Sequence, residues 1–144
     1  MLTFDPPWRS ELAAWKAIVH PSGKVWHEVS SGPGLSQTKA YKGRLSEADL
    51  RRFAELLNWD LAEEAVRLEA SLPVVDGGRF AGFGLGRNEG QAWTTFGVTD
   101  KVLLRFGGST PDAEILDTFE EFKAMWLGLT RLLPWNVSDG EQPS

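Results

Sequence analysis

Six large apolar side chains, Ile115, Phe119, Phe122, Trp126, Leu129 and Leu133, follow one another at steps of four, three, four, three and four residues. That is the period of an α-helix, so the chain from just after Pro111 to about Leu133 predicts one long amphipathic helix. Leu116, Met125 and Leu132 widen the stripe. Acids crowd its first turns and Arg131 stands in its last, as the helix dipole favours. An apolar stripe this long has to be buried against another element.

The partner for that stripe is written just upstream. Residues 79–107 read as a three-stranded meander, with Asn88-Glu89-Gly90 as a three-residue loop whose glycine takes the left-handed position. This loop sets Arg87 opposite Gln91, Leu85 opposite Trp93 and Phe83 opposite Thr95. A second turn at Thr99-Asp100 sets Trp93 opposite Phe106. One predicted face then collects Phe83, Leu85, Trp93, Val102, Leu104 and Phe106. The other collects Gly82, Gly84, Gly86, Thr94, Phe96, Leu103 and Arg105.

Nearer the start, residues 13–30 read as a hairpin around His20-Pro21-Ser22-Gly23, a turn in which proline presets φ and glycine accepts a positive one. A helix from Ser10 to Ile18 competes with its first strand, because Glu11-Leu12-Ala13-Ala14 favour helix. Gln37 to Lys42 suits a third strand. Ser46 then caps a helix, with Asp49 three residues on and Leu45 and Leu50 at the hydrophobic staple positions. Leu50, Phe53, Leu56 and Leu57 make its stripe. Asn58-Trp59-Asp60 breaks or bends it, and Leu61, Ala65 and Leu68 suggest a second helix ending before Pro73.

These elements predict an α+β fold, an antiparallel sheet of five or six strands with two or three helices packed on one face. The two halves read alike, and Leu56-Leu57-Asn58-Trp59 resembles Leu132-Leu133-Pro134-Trp135, which suggests a βββα duplication. At 144 residues the chain suits one domain over 10–135, with a flexible end at 1–9 and a polar tail at 136–144. There is no cysteine, which excludes disulfides, thiolate metal sites and cysteine nucleophiles. MLTFDPPWRSE lacks the basic and apolar regions of a signal peptide, and no apolar run approaches the ~20 residues that span a bilayer. A soluble protein in the cytoplasm is the expectation.

Net charge is −5, which repels nucleic acid overall. Residues 1–52 carry 8 basic and 5 acidic side chains, whereas 53–144 carry 7 basic and 15 acidic ones. The acids concentrate at Glu55, Asp60, Glu63, Glu64 and Glu69, and at Asp112, Glu114, Asp117, Glu120 and Glu121. They read as solvated helix faces, or as a negative surface that steers a basic protein.

No catalytic set assembles from these residues. Gly82, Gly84, Gly86 and Gly90 do not form a dinucleotide fingerprint, because they lead from strand to strand and phosphate binding needs a helix N-terminus. Glycines at period 2 instead bare one face of a strand, leaving either a packing site or a shallow groove. His20 and His27, the only histidines, lie roughly 13 Å apart along the hairpin at ~3.4 Å per residue, too far to share a metal. Glu63-Glu64 and Glu120-Glu121 diverge on their helices, and Asp117 with Glu121 is a like-charged pair that solvent accommodates. Of seven tryptophans, Trp26, Trp93 and Trp126 fit core positions, while Trp8, Trp59 and Trp135 fall at element ends.

The residues therefore imply a non-enzymatic protein-interaction module, an inhibitor, adaptor or immunity-type protein, with no cofactor and no metal. Its expected partner surface comprises Trp59, Asp60, Glu63, Glu64, Asp117 and Glu121, facing a basic protein. The alternative is a small-ligand binder or enzyme using Gly82, Gly84, Gly86, Thr94 and Arg105 on the glycine-bared face. Nucleic acid comes third and rests only on Lys39, Lys42, Arg44, Arg51 and Arg52.

Overall fold

Six strands, each antiparallel to its neighbours, form one sheet in the order β4-β3-β2-β1-β5-β6. In chain order they are β1 (Leu2–Asp5), β2 (Ala14–Val19), β3 (Lys24–Ser31), β4 (Gln37–Arg44), β5 (Gly82–Asn88) and β6 (Trp93–Thr99). Helices α1 (Glu47–Leu56) and α2 (Trp59–Glu69) fall between β4 and β5, and α3 (Ala113–Leu132) follows β6. This computed structural model describes residues 1–5, 14–31, 37–72, 80–90, 92–100 and 113–134. The fold is the α+β class expected, with its helices gathered on one face of the sheet. The strand expected within 101–107, Arg105 included, lies outside the described residues, as do Trp8, Trp135 and the tail.

The flexible end expected over residues 1–9 is corrected for Leu2–Asp5, which is a strand near the middle of the sheet. Leu2 sits between Ala17 of β2 and Leu85 of β5 and is fully buried. The strand is short, but it alternates apolar Leu2 and Phe4 with Thr3, and both apolar side chains join the core.

The first hairpin forms as a hairpin and not as the competing helix over the described part of 10–18. Val19 pairs with Val25, and Gly23 takes φ 95° in the turn between them. Gly23 accepts the Leu45 amide at 2.8 Å, tying the turn to the start of α1. Ser46 caps α1, its hydroxyl accepting from the Asp49 amide at 3.1 Å. Asn58 does more than break that helix: its side-chain oxygen accepts the Leu61 amide at 3.0 Å and starts α2.

The β5–β6 register differs from the expected one. Asn88 pairs with Trp93, so the loop holds residues 89–92, four and not three. Gly90 takes the left-handed conformation there, φ 90°, and the Glu89 amide donates to Ala92. The displacement is three residues, an odd number, so every side chain of β6 changes face relative to β5. Phe96 and Val98 now oppose Leu85 and Phe83 toward the helices, while Trp93 points away and is 41% exposed.

On the covered face α3 buries Phe119, Phe122, Trp126 and Leu129, with Leu133 just beyond it. Each large side chain contributes about 1.5–3 kcal/mol before entropy is counted. Trp126 stands edge-on to Phe83 with centroids 5.0 Å apart, and its indole N–H donates to the Gly84 carbonyl at 3.2 Å. The suggested βββα duplication does not extend to a repeated layout. β2 and β5 run the same way on either side of β1, while the strands after them step outward in opposite directions. A rotation about the strand axis would relate such halves only with α1 and α3 on opposite faces. Both belong to one core.

Candidate interaction surfaces

Helices α2 and α3, which carry most of the two acidic concentrations, pack against each other. The Asn58 amide reaches Met125, while Arg67 near the other end of α2 lies within the field of Glu114 at the start of α3. The helices are therefore antiparallel neighbours. Asp60, Glu63, Asp117, Glu120 and Glu121 are exposed, and Glu64 is half-buried. Arg67 donates to Glu64 and holds its carboxyl below the usual range. Glu69 leaves this surface: it is buried and accepts the Thr99 amide and hydroxyl at 2.9 and 2.7 Å. Trp59 stands at the start of α2, turned toward the sheet. Its half-buried ring lies 5.9 Å from Phe96, with the Arg87 guanidinium 5.0 Å above it.

Among the described residues proposed for a glycine-lined groove, Thr94 is separated from the glycines. Gly82, Gly84 and Gly86 do share the face turned away from the helices, but Gly84 and Gly86 are buried there. The Thr3 hydroxyl takes the space of a β-carbon on Gly84, and the Met1 and Thr95 methyl groups lie 3.0 and 3.3 Å from that of Gly86. Thr94 pairs with Arg87 on the opposite face and donates to Glu89 at 2.7 Å. Arg105 lies outside the described residues. Phe96, expected on the face of the glycines, faces Leu85 under Trp59.

The face away from the helices carries a second constellation. Pairing sets Lys24 beside Arg44, and Trp26 between Lys42 and Ile18. Trp26, expected in the core, is 39% exposed, because its strand alternation points it outward while His27 and Val25 point in. Its indole donates to Glu28 at 2.9 Å and the Lys42 ammonium lies 5.9 Å from its ring. Glu28 is held below the usual carboxylate range, first by that indole and then by Lys16, 3.3 Å away. Around Trp26 an open basin of about 760 Å³ is lined by Ile18, His20, Lys24, Lys42 and Arg44 among others. Of the basic stretch read from sequence, Lys39 has the opposite strand parity, and Arg51 and Arg52 lie on α1. Lys24 was legible in principle, since it has the parity of Trp26 within one strand.

The histidines part company across the sheet. His27 is buried between Trp15, 5.7 Å away edge-on, and Tyr41, 6.4 Å away, and burial lowers its pKa. His20 is exposed at the turn, its Nδ1 2.8 Å from the Ser22 hydroxyl. Among the described residues no group of three or more histidine or carboxylate side chains is placed to hold a metal ion, and no helix is long and apolar enough to cross a membrane. Comparison with protein-family models, with curated proteins and with solved structures returned no match to this chain.

Proposed function

We propose that the chain is a non-enzymatic protein-interaction module of inhibitor, adaptor or immunity type, presenting the outer surface of α2 and α3 to a basic protein. The observation that carries this reading is the antiparallel packing that sets two acid-rich helices, far apart in sequence, side by side. Arg67 offsets Glu64 by a salt bridge and Glu114 through its charge, while Asp60, Glu63, Asp117, Glu120 and Glu121 stand exposed on these helices. Such a field raises the association rate with a cationic partner and rejects anionic ones. Trp59 acts in this reading as an anchor of the α2 start on β6, and the contact surface is the carboxylates.

The test is native mass spectrometry of complexes captured from source-cell extract on the intact protein, at low and high salt. A stoichiometric basic protein, released as salt rises and lost from a Glu63→Lys, Glu121→Lys double variant, supports the reading. Capture that ignores salt and both substitutions, or no stoichiometric partner, rejects it.

A further inference from the structure

We propose that the open face of the sheet binds single-stranded nucleic acid, with Trp26 as a base-stacking platform and Lys24, Lys42 and Arg44 meeting the phosphates. This surface lies across the sheet from the acidic helices and does not depend on the reading above.

Three observations converge on it. First, the described strand side chains of this face carry more positive than negative charge. Lys16, Lys24, Lys42 and Arg44 share the open face by strand parity, and Glu28, on the same face, is already engaged by Lys16 and the Trp26 indole. The net charge of −5 therefore understates how positive this face is. Second, the two exposed large apolar side chains of the described structure, Trp26 and Trp93, both stand on this face. They flank it on β3 and β6, four strand spacings apart, roughly 19 Å at about 4.8 Å each. Third, the floor between them is low. Thr3, Gly84 and Gly97 form one row across β1, β5 and β6, and no heavy atom lies within 4 Å of a β-carbon position on Gly97.

A sheet face with exposed rings, and cations beside one of them, suits a flexible polyanion that carries aromatic planes. Bases stack on indole whatever their sequence, and the ammonium and guanidinium groups track the backbone. An acidic peptide would satisfy the cations but leave the rings in water, which makes it the competing outcome. The glycines of β5 acquire a role that needs no groove: they keep the floor low with Thr3 and Met1 packed into it.

The experiment is fluorescence anisotropy of the full chain with labelled uridine and thymidine oligonucleotides of about ten nucleotides, within the usual site sizes for such platforms. Binding should weaken from about 50 to 200 mM salt with a log–log slope near −2, as roughly three phosphate contacts at about 0.7 each require. Trp26→Ala should weaken it roughly 5- to 100-fold. Lys42→Gln and Arg44→Gln should each flatten the slope by about 0.7. Arg131→Gln, in the last turn of α3 across the sheet, should leave affinity and salt slope unchanged, and thermal unfolding of each variant confirms that it is folded. Absence of binding at the lowest salt to either oligonucleotide overturns the proposal. So does equal affinity of a folded Trp26→Ala variant, or displacement by polyglutamate as effective as by unlabelled oligonucleotide, which would mark a surface for acidic proteins.

Discussion

Thr3 and Gly84 face each other across β1 and β5, and the threonine hydroxyl fills the space that a β-carbon on residue 84 would occupy. One glycine of a conspicuous Gly-x-Gly-x-Gly run is thus explained by a neighbour 81 positions away in the chain. The run permits β1 to lie flat against β5; it does not open a pocket.

That relationship predicts an interaction between two substitutions. Gly84→Ala should destabilise the fold by about 1–3 kcal/mol, the usual cost of overpacking, since Thr3 must shift or rotate. In a Thr3→Ala background the same change should cost at least 1 kcal/mol less, because the obstructing hydroxyl is gone. Urea unfolding of the four proteins measures this. Additive costs would mean that residue 84 is crowded by something other than Thr3.

The tryptophans give a second prediction, which also checks the strand register. Trp126 is buried and donates to the Gly84 carbonyl, whereas Trp93 is 41% exposed. Trp126→Phe should cost about 1–3 kcal/mol through the lost hydrogen bond and the cavity left behind. Trp93→Phe should stay within about 0.5 kcal/mol, as surface changes do. Equal losses would restore the register in which Trp93 faces Leu85 in the core.

These residues also show what the sequence could convey. The α3 stripe and the Ser46 cap were legible because both are local: a 3.6-residue period and a hydroxyl three residues from its amide. The His20–Gly23 turn was legible for the same reason, since Pro21 and Gly23 dictate it. β1 was not, because two apolar residues ahead of Pro6-Pro7 carry no period worth reading, and only contact with Ala17 and Leu85 makes them a strand. The β5–β6 register was missed because residues 88–92 are compatible with a three- or a four-residue loop, and the odd displacement then exchanged the faces of Trp93, Thr94 and Phe96. The meeting of the acidic stretches depends on α2 packing against α3, a contact between segments about 60 residues apart along the chain.

The two caps of the α1–α2 pair predict separable losses. Ser46→Ala removes the acceptor of the Asp49 amide, and Asn58→Ala that of the Leu61 amide. Each should cost about 1 kcal/mol. The caps serve different helices and share no partner, so the double variant should lose about the sum. Urea midpoints measure it. A double variant no worse than either single one would mean that α1 and α2 fray as one unit around Asn58.

Stability should also fall as pH drops from 8 toward 6, ahead of any carboxylate effect. The Met1 amine donates to the Gly86 carbonyl at 2.8 Å, and burial lowers its pKa from 8.0 to about 6. Burial likewise lowers His27 below 6.5. Both groups are bases whose folded pKa lies below the unfolded one, so the unfolded chain binds more protons between the two values and ∂ΔG/∂pH is positive there. The full stability is present above the unfolded pKa and is lost as pH falls through the window down to the folded pKa. For Met1 that window is pH 8 to about 6, and its loss amounts to up to roughly 3 kcal/mol. His27 adds its loss below 6.5. Glu28, Glu64 and Glu89, all held below the usual carboxylate range, contribute only below about pH 5. Urea midpoints at pH 8.5, 7 and 6, chosen to bracket about the amine window, should decline for the parent. His27→Phe should keep the upper part of that decline and flatten the part below 6.5. A parent midpoint constant from pH 8.5 to 6 would mean that the Met1 amine titrates alike in the folded and unfolded chain, so that it stays hydrated beside Gly86.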